Sequence, residues 1–171
     1  MAAGVGTRLV FHPDLVRIVS LSTAASDYLC EISSLLDGGY PGDCVTHACR
    51  LAELLLAERK NPWIGRVRDI RDVALGTFHG PLTPIRLLGF GGPTWTTHYI
   101  ACEDGFAYDP LVGRPVLLAE YPVMVFGRAL TIDCFLDAGT TAELCRRQEL
   151  PSAFRVQQVL RQSVETSGRR A

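Results

Sequence analysis

The chain has 171 residues, 47% hydrophobic and 20% charged, with a formal net charge of −1. That length suits one domain with a substantial core, and the composition is that of an ordinary globular protein. A near-neutral balance leaves no electrostatic footprint for nucleic acid or an anionic membrane, and no uninterrupted apolar run approaches the ~20 residues that span a bilayer.

Thr7 to Phe11 reads as a short strand, and the break at His12-Pro13-Asp14 argues against a secretory leader. Pro13 suits a first helical turn, and the apolar spacing from Asp14 to about Leu36 predicts one helix, or two broken near Ser20 to Ser26. Asp37-Gly38-Gly39-Tyr40-Pro41-Gly42 is a loop. Asp43 then serves as N-cap for a helix running to about Lys60, stopped by Asn61-Pro62. Trp63 to Ala74 reads as a strand, with Ile64, Val67, Ile70 and Val73 breaking strict alternation, which predicts a bulge or a break. Ile85 to Phe90 is a second expected strand, and Thr96 to Cys102 with Phe106 to Leu111 form a hairpin. Val116 to Leu118 and Pro122 to Phe126 are further strands or loop, Thr140 to Arg147 is helical, and Pro151 to Val164 is a terminal helix. The expectation is a single α+β domain over 1–171: a helical N-terminal region over 1–60, a sheet-rich and mostly antiparallel region over 61–135, and a helical C-terminal region over 136–171.

Three residues in this order carry chemistry. With Asp43 as cap, Cys44 is the first helical residue, where unsatisfied N–H groups and the helix dipole favour an anion. A thiolate is the nucleophilic form of cysteine, so Cys44 is the candidate nucleophile. Cys44, Ala48, Leu51, Ala52 and Leu55 share a helix face, which places the thiol at the edge of the packed side. Gly42 leaves room for a substrate, the Cys44 N–H is a candidate oxyanion donor, and Gly42, Asp43 and Trp95 are candidate cleft residues.

Asp104-Gly105 is a strong two-residue turn signal. If Glu103 pairs with Phe106, His98 lies opposite Leu111 and Ile100 opposite Asp109. His98 and Asp109 then share a face as diagonal neighbours, close enough for an imidazole and a carboxylate to meet. A register slip of one residue would separate them.

On these residues the chain resembles the papain-like and transglutaminase-like cysteine enzymes, including bacterial papain-fold effector and toxin domains. The resemblance spans about Gly42 to Pro110. Gly42-Asp43-Cys44-Val45 is similar to the family's nucleophile helix start, Trp63 to Val67 to the strand that follows, and His98 through Asp109-Pro110 to its His and Asp strands. It implies a nucleophile helix packed on a mostly antiparallel sheet, with Cys44 as nucleophile, His98 as base and then acid, and Asp109 orienting His98. The chain lacks the upstream Gln and the following Cys-Trp of papain-type proteases, and the Ala-Trp after the His common in transglutaminase-like enzymes.

The expected activity is therefore thiol-dependent hydrolysis of amide or ester carbonyls through an acyl-enzyme, as a peptidase, amidase or glutamine deamidase. Acyl transfer to an amine is the alternative on the same residues, and a non-catalytic binding domain is the alternative from another class. No cofactor is implied. The expected partner is a protein, peptide or small amide, with no nucleic acid and no membrane, and the expected location is cytoplasmic or exported without a classical leader. The six cysteines are too dispersed for a disulfide framework. Cys44, His47 and Cys49, or His98 and Cys102, lack zinc-knuckle spacing, so a metal is not expected. His47 reads as a helix-surface or supporting residue, His12 and His79 as solvated loop residues, and Trp95 as a core residue that closes the cleft or the core.

Overall fold

β1 (Thr7–His12) and β2 (Leu15–Ser20) open the chain as an antiparallel pair, Leu9 opposite Ile18. The computed structural model describes residues 7–12, 15–73, 76–90 and 94–154. The helix expected from Asp14 therefore begins later. Val16, Ile18 and Val19 are β-branched and suit a strand, and a partner strand is available. α1 (Thr23–Ser34) starts only at Ser22, whose hydroxyl accepts the Ala25 N–H at 3.0 Å.

After a single 3₁₀ turn at Leu36–Gly38, the chain enters α2 (Cys44–Ala57). Asp43 is its cap, extended at φ −127° and ψ 157°, and its carboxylate accepts the Thr46 N–H at 2.7 Å. His47, Ala48, Leu51, Ala52 and Leu55 form the buried side.

One long strand organises the sheet. β3 (Trp63–Val73) pairs along its first half with β5 (His98–Glu103) on one edge and β8 (Thr131–Leu136) on the other, and its far end pairs with β4 (Gly76–Gly80). β6 (Phe106–Tyr108) and β7 (Val116–Leu117) extend the sheet beyond β5, and every pairing is antiparallel. The fold is α+β, with a six-stranded antiparallel sheet and helices. The expected irregularity in β3 is a register shift against β8 between Ile64 and Gly65. Ile64 and Val67 are both fully buried but face opposite sides, so β3 is covered on both faces. Gly65 is held to a hydrogen side chain by crowding: a Cβ there would lie 2.9 Å from Cys102 Sγ and 3.2 Å from both Ile100 and Ile132.

The two faces carry different cores. Ala101, Phe106 and Tyr108 pack against Leu29 of α1 and Leu51 and Leu55 of α2. Ile100, Cys102 and Ala107 point the other way, towards Leu36, Leu87, Tyr121 and Phe126. The second face is closed by segments that depart from the sequence expectation. Ile85–Phe90 is a 3₁₀ helix rather than a strand, started at Pro84, whose carbonyl accepts the Leu87 N–H at 3.0 Å. Leu87 is buried while Ile85 and Leu88 are exposed, so the run has no alternating face to offer a sheet. Pro122 to Phe126 lies in α3 (Tyr121–Phe126), with proline in its first turn and Gly127 at φ 70° ending it.

β4 and β8 lie outside the expected elements, and β1 and β2 place a hairpin inside the region expected to be helical. His12 and His79 accordingly sit in strands, and their side chains lie outside the described residues. α4 (Ala138–Arg146) is capped by Asp137, whose carboxylate accepts the Thr140 N–H at 2.8 Å. Residues 150–154 are helical, and the rest of the expected terminal helix lies outside the described residues.

Candidate active site

Cys44 is the first residue of α2 and is half-buried. In this first turn the Asp43 carboxylate takes the Thr46 N–H and the Asp43 carbonyl takes the His47 N–H. The N–H groups of Cys44 and Val45 make no hydrogen bond to a described residue and remain open to another acceptor. Asp43 thus works as a cap, with its side chain bonded along the helix. Gly42 is exposed and sits at φ 78°, in the left-handed region where a Cβ is disfavoured.

His98 and Asp109 come together through the hairpin. Asp104 at φ 50° and Gly105 at φ 81° make the turn, and Glu103 pairs with Phe106, Cys102 with Ala107 and Ala101 with Tyr108. Continuing that register puts Ile100 opposite Asp109, and His98 two residues away on the same face. His98 Nε2–H donates to Asp109 Oδ2 at 2.6 Å, and both side chains are sealed from solvent, at 0% and 1% exposure. The other carboxylate oxygen accepts the Leu111 N–H at 3.0 Å. Asp109 therefore caps its own turn and holds His98 at the same time.

A third donor completes the carboxylate. The Tyr121 hydroxyl, from the first residue of α3, donates to the same Oδ2. Burial alone would raise the Asp109 pKa, but the His98 charge and hydrogen bond, with Tyr121 and the Leu111 N–H, hold it below the ordinary carboxylate value. Burial alone would likewise lower the His98 pKa, but the Asp109 charge and hydrogen bond, with a smaller contribution from Cys44, raise it from 6.5 to about 10. The imidazolium–carboxylate pair is the favoured state near neutrality.

With Nε2 engaged, Nδ1 is the ring nitrogen left for Cys44. It is buried and has no hydrogen-bond partner among the described residues, while the Cys44 thiol acts on the ring by favouring its protonated form. A protonated ring carries an N–H there, for which the Cys44 sulfur can serve as acceptor.

Aromatic rings enclose His98. Trp95 stacks on it, with ring centroids 4.7 Å apart and planes 14° apart, and Phe126 meets it edge-on at 6.1 Å. Tyr40 stands 6.4 Å from His98 and 5.3 Å from both Trp95 and His47. Trp95 is partly buried, so it packs against the core and covers the imidazole together. His47 is buried and not on the helix surface. Its Nε2–H donates to the Pro41 carbonyl, which can only accept, and Nδ1 is hydrogen-bonded to the Tyr28 hydroxyl at 2.8 Å. This ties α1, α2 and the Tyr40 loop together.

The remaining cysteines have other surroundings. All six are free. Burial pushes the Cys49 thiol up to about 12 and the Cys145 thiol up to about 11, and raises Cys102 further. Among the described residues, no three His, Cys, Asp or Glu side chains converge as a metal site would need. A cleft of about 370 Å³ opens between Ile85, Arg86, Leu111 and Met124, and neither Cys44 nor His98 lines it. No helix of the described residues is long and apolar enough to cross a membrane.

Tyr121 and Tyr40 are site residues that sequence reasoning misses. Tyr121 carries no local signal, because it meets Asp109 only once Pro122 starts α3. Tyr40 has one, standing four residues before Cys44 in a glycine-flanked loop. Comparison of the chain with protein-family models, with curated proteins and with solved structures gives no match.

Proposed function

We propose that the chain is a thiol-dependent hydrolase that acts on amide or ester carbonyls through Cys44, His98 and Asp109. The observation that carries this reading is the buried His98 ring, fixed by Asp109 on one nitrogen and left with the other for a cysteine at a helix start, which favours the protonated ring. A structural histidine at full burial is ordinarily satisfied at both nitrogens. In the proposed reaction the Cys44 thiolate attacks the carbonyl carbon, and His98 protonates the leaving group. His98 then takes a proton from water as the acyl-enzyme is hydrolysed.

The packing of α2 against β5 supports a papain-like or transglutaminase-like core as a component of this proposal. A protein, peptide or small amide as substrate, and a cytoplasmic or exported-effector setting, are proposed with it.

The test is a thiol-directed activity probe on native protein, with the labelled peptide identified by mass spectrometry. Labelling concentrated on the Cys44 peptide, and lost in His98→Ala, is expected. Uniform labelling of the exposed cysteines, with Cys44 inert, returns the chain to a binding domain.

A further inference from the structure

Two buried polar atoms near Cys44 lack partners among the described residues: His98 Nδ1, which the reaction above uses, and the Tyr40 hydroxyl, which it does not. An unpaired buried hydroxyl costs free energy and is retained for a reason. Tyr40 is placed at the site by its ring, edge-on to His98, Trp95 and His47. Its loop is shaped by glycines in the left-handed region on either side, Gly39 at φ 107° and Gly42 at φ 78°. Resting on the function proposed above, we propose that the Tyr40 hydroxyl donates a hydrogen bond to the substrate's carbonyl oxygen as negative charge develops on it.

Burial first, then the Asp109 and Cys44 charges beside it, raise the Tyr40 pKa, so the phenol stays a neutral donor at working pH. The Cys44 thiolate forms a bond to the carbonyl carbon, and the C=O π pair moves to oxygen. That oxyanion is held by Tyr40 O–H and the open Cys44 N–H. On collapse the pair returns to carbon, the bond to the leaving group breaks, and the leaving group takes the His98 proton where it needs one.

The test compares wild type and Tyr40→Phe with two probes. p-Nitrophenyl acetate acetylates Cys44 through a tetrahedral oxyanion, whereas iodoacetamide alkylates it without one. Acetylation is expected to fall about 10²- to 10³-fold in Tyr40→Phe, with alkylation within about twofold and thermal stability not lowered, since the lost hydroxyl was unpaired. Wild-type acetylation rates in Tyr40→Phe overturn the donor role and leave the hydrolase reading standing. Parallel loss of acetylation and alkylation also overturns it, by showing that Tyr40 shapes the Cys44–His98 pair. If wild type is not acetylated at Cys44 at all, both readings fall.

Discussion

The Asp109 carboxylate reaches His98 Nε2 at 2.6 Å from the far strand of the hairpin while its second oxygen holds the Leu111 N–H at 3.0 Å. A turn residue and an orienting acid are one side chain. The contact is fully buried, so its charge acts without solvent screening.

Asp109→Asn tests that charge. The amide keeps the size and one acceptor but cannot stabilise the imidazolium equally. Acyl transfer is expected to drop by about 10²- to 10⁴-fold, the order found when a triad acid is made neutral. Circular dichroism should stay native, and an unchanged rate and pH profile would return Asp109 to a turn residue.

The same pair predicts how stability depends on pH. Asp109 is held below its ordinary 3.8, so its share of stability is present above that value and is lost as pH falls through its folded pKa. His98 is raised from 6.5 to about 10, so its share is complete below 6.5 and is lost as pH rises through about 10. Denaturation midpoints of wild type and Asp109→Asn should therefore differ most between these limits and converge at both ends. A difference that is constant with pH contradicts an ion pair.

Cysteine substitutions should separate chemistry from packing. Cys44→Ala is expected to abolish activity and shift stability by less than about 0.5 kcal/mol, because Ala suits a helix start at an edge. Cys49→Ser puts a hydroxyl at a position only 4% exposed and should cost about 1–3 kcal/mol with Cys44 reactivity retained. Urea denaturation and iodoacetamide kinetics read the two effects apart.

Gly65→Ala should destabilise by about 1–3 kcal/mol, since its methyl, near the start of β3, would stand 2.9 Å from Cys102 Sγ of β5. Removing that sulfur in Gly65→Ala/Cys102→Ala should recover some of the loss, because the other close atoms, on Ile100 and Ile132, stand at 3.2 Å. A double substitution costing the sum of the two singles would show that backbone, and not this contact, sets the limit.

The candidate site is legible where local signals coincide. Asp104-Gly105 sets the turn, the turn sets the register, and the register alone puts His98 and Asp109 on one face. Asp43 likewise marks the start of α2, and with it the place of Cys44. The signals fail where an apolar run is short. Leu15–Ser20, Ile85–Phe90 and Pro122–Phe126 each fit more than one period, and their neighbours in space decide them. Tyr121 depends on that last segment, so misreading it hides the third donor on Asp109. β8 escapes detection because its sequence, TIDCFL, is only half-buried and shows no clean alternation.

The dual engagement of Asp109 has a consequence for rigidity. An aspartate at a strand end ordinarily swings among rotamers, and a ring bonded to it inherits that freedom. Here one oxygen is bonded to main chain and the other to two side chains, so neither torsion is free. The imidazole is thereby indexed to the backbone of its own hairpin, and its aim follows strand geometry rather than side-chain sampling. Glutamate at this position would keep the charge but be one methylene too long to span Leu111 and His98 together, so the limiting quantity at position 109 is reach.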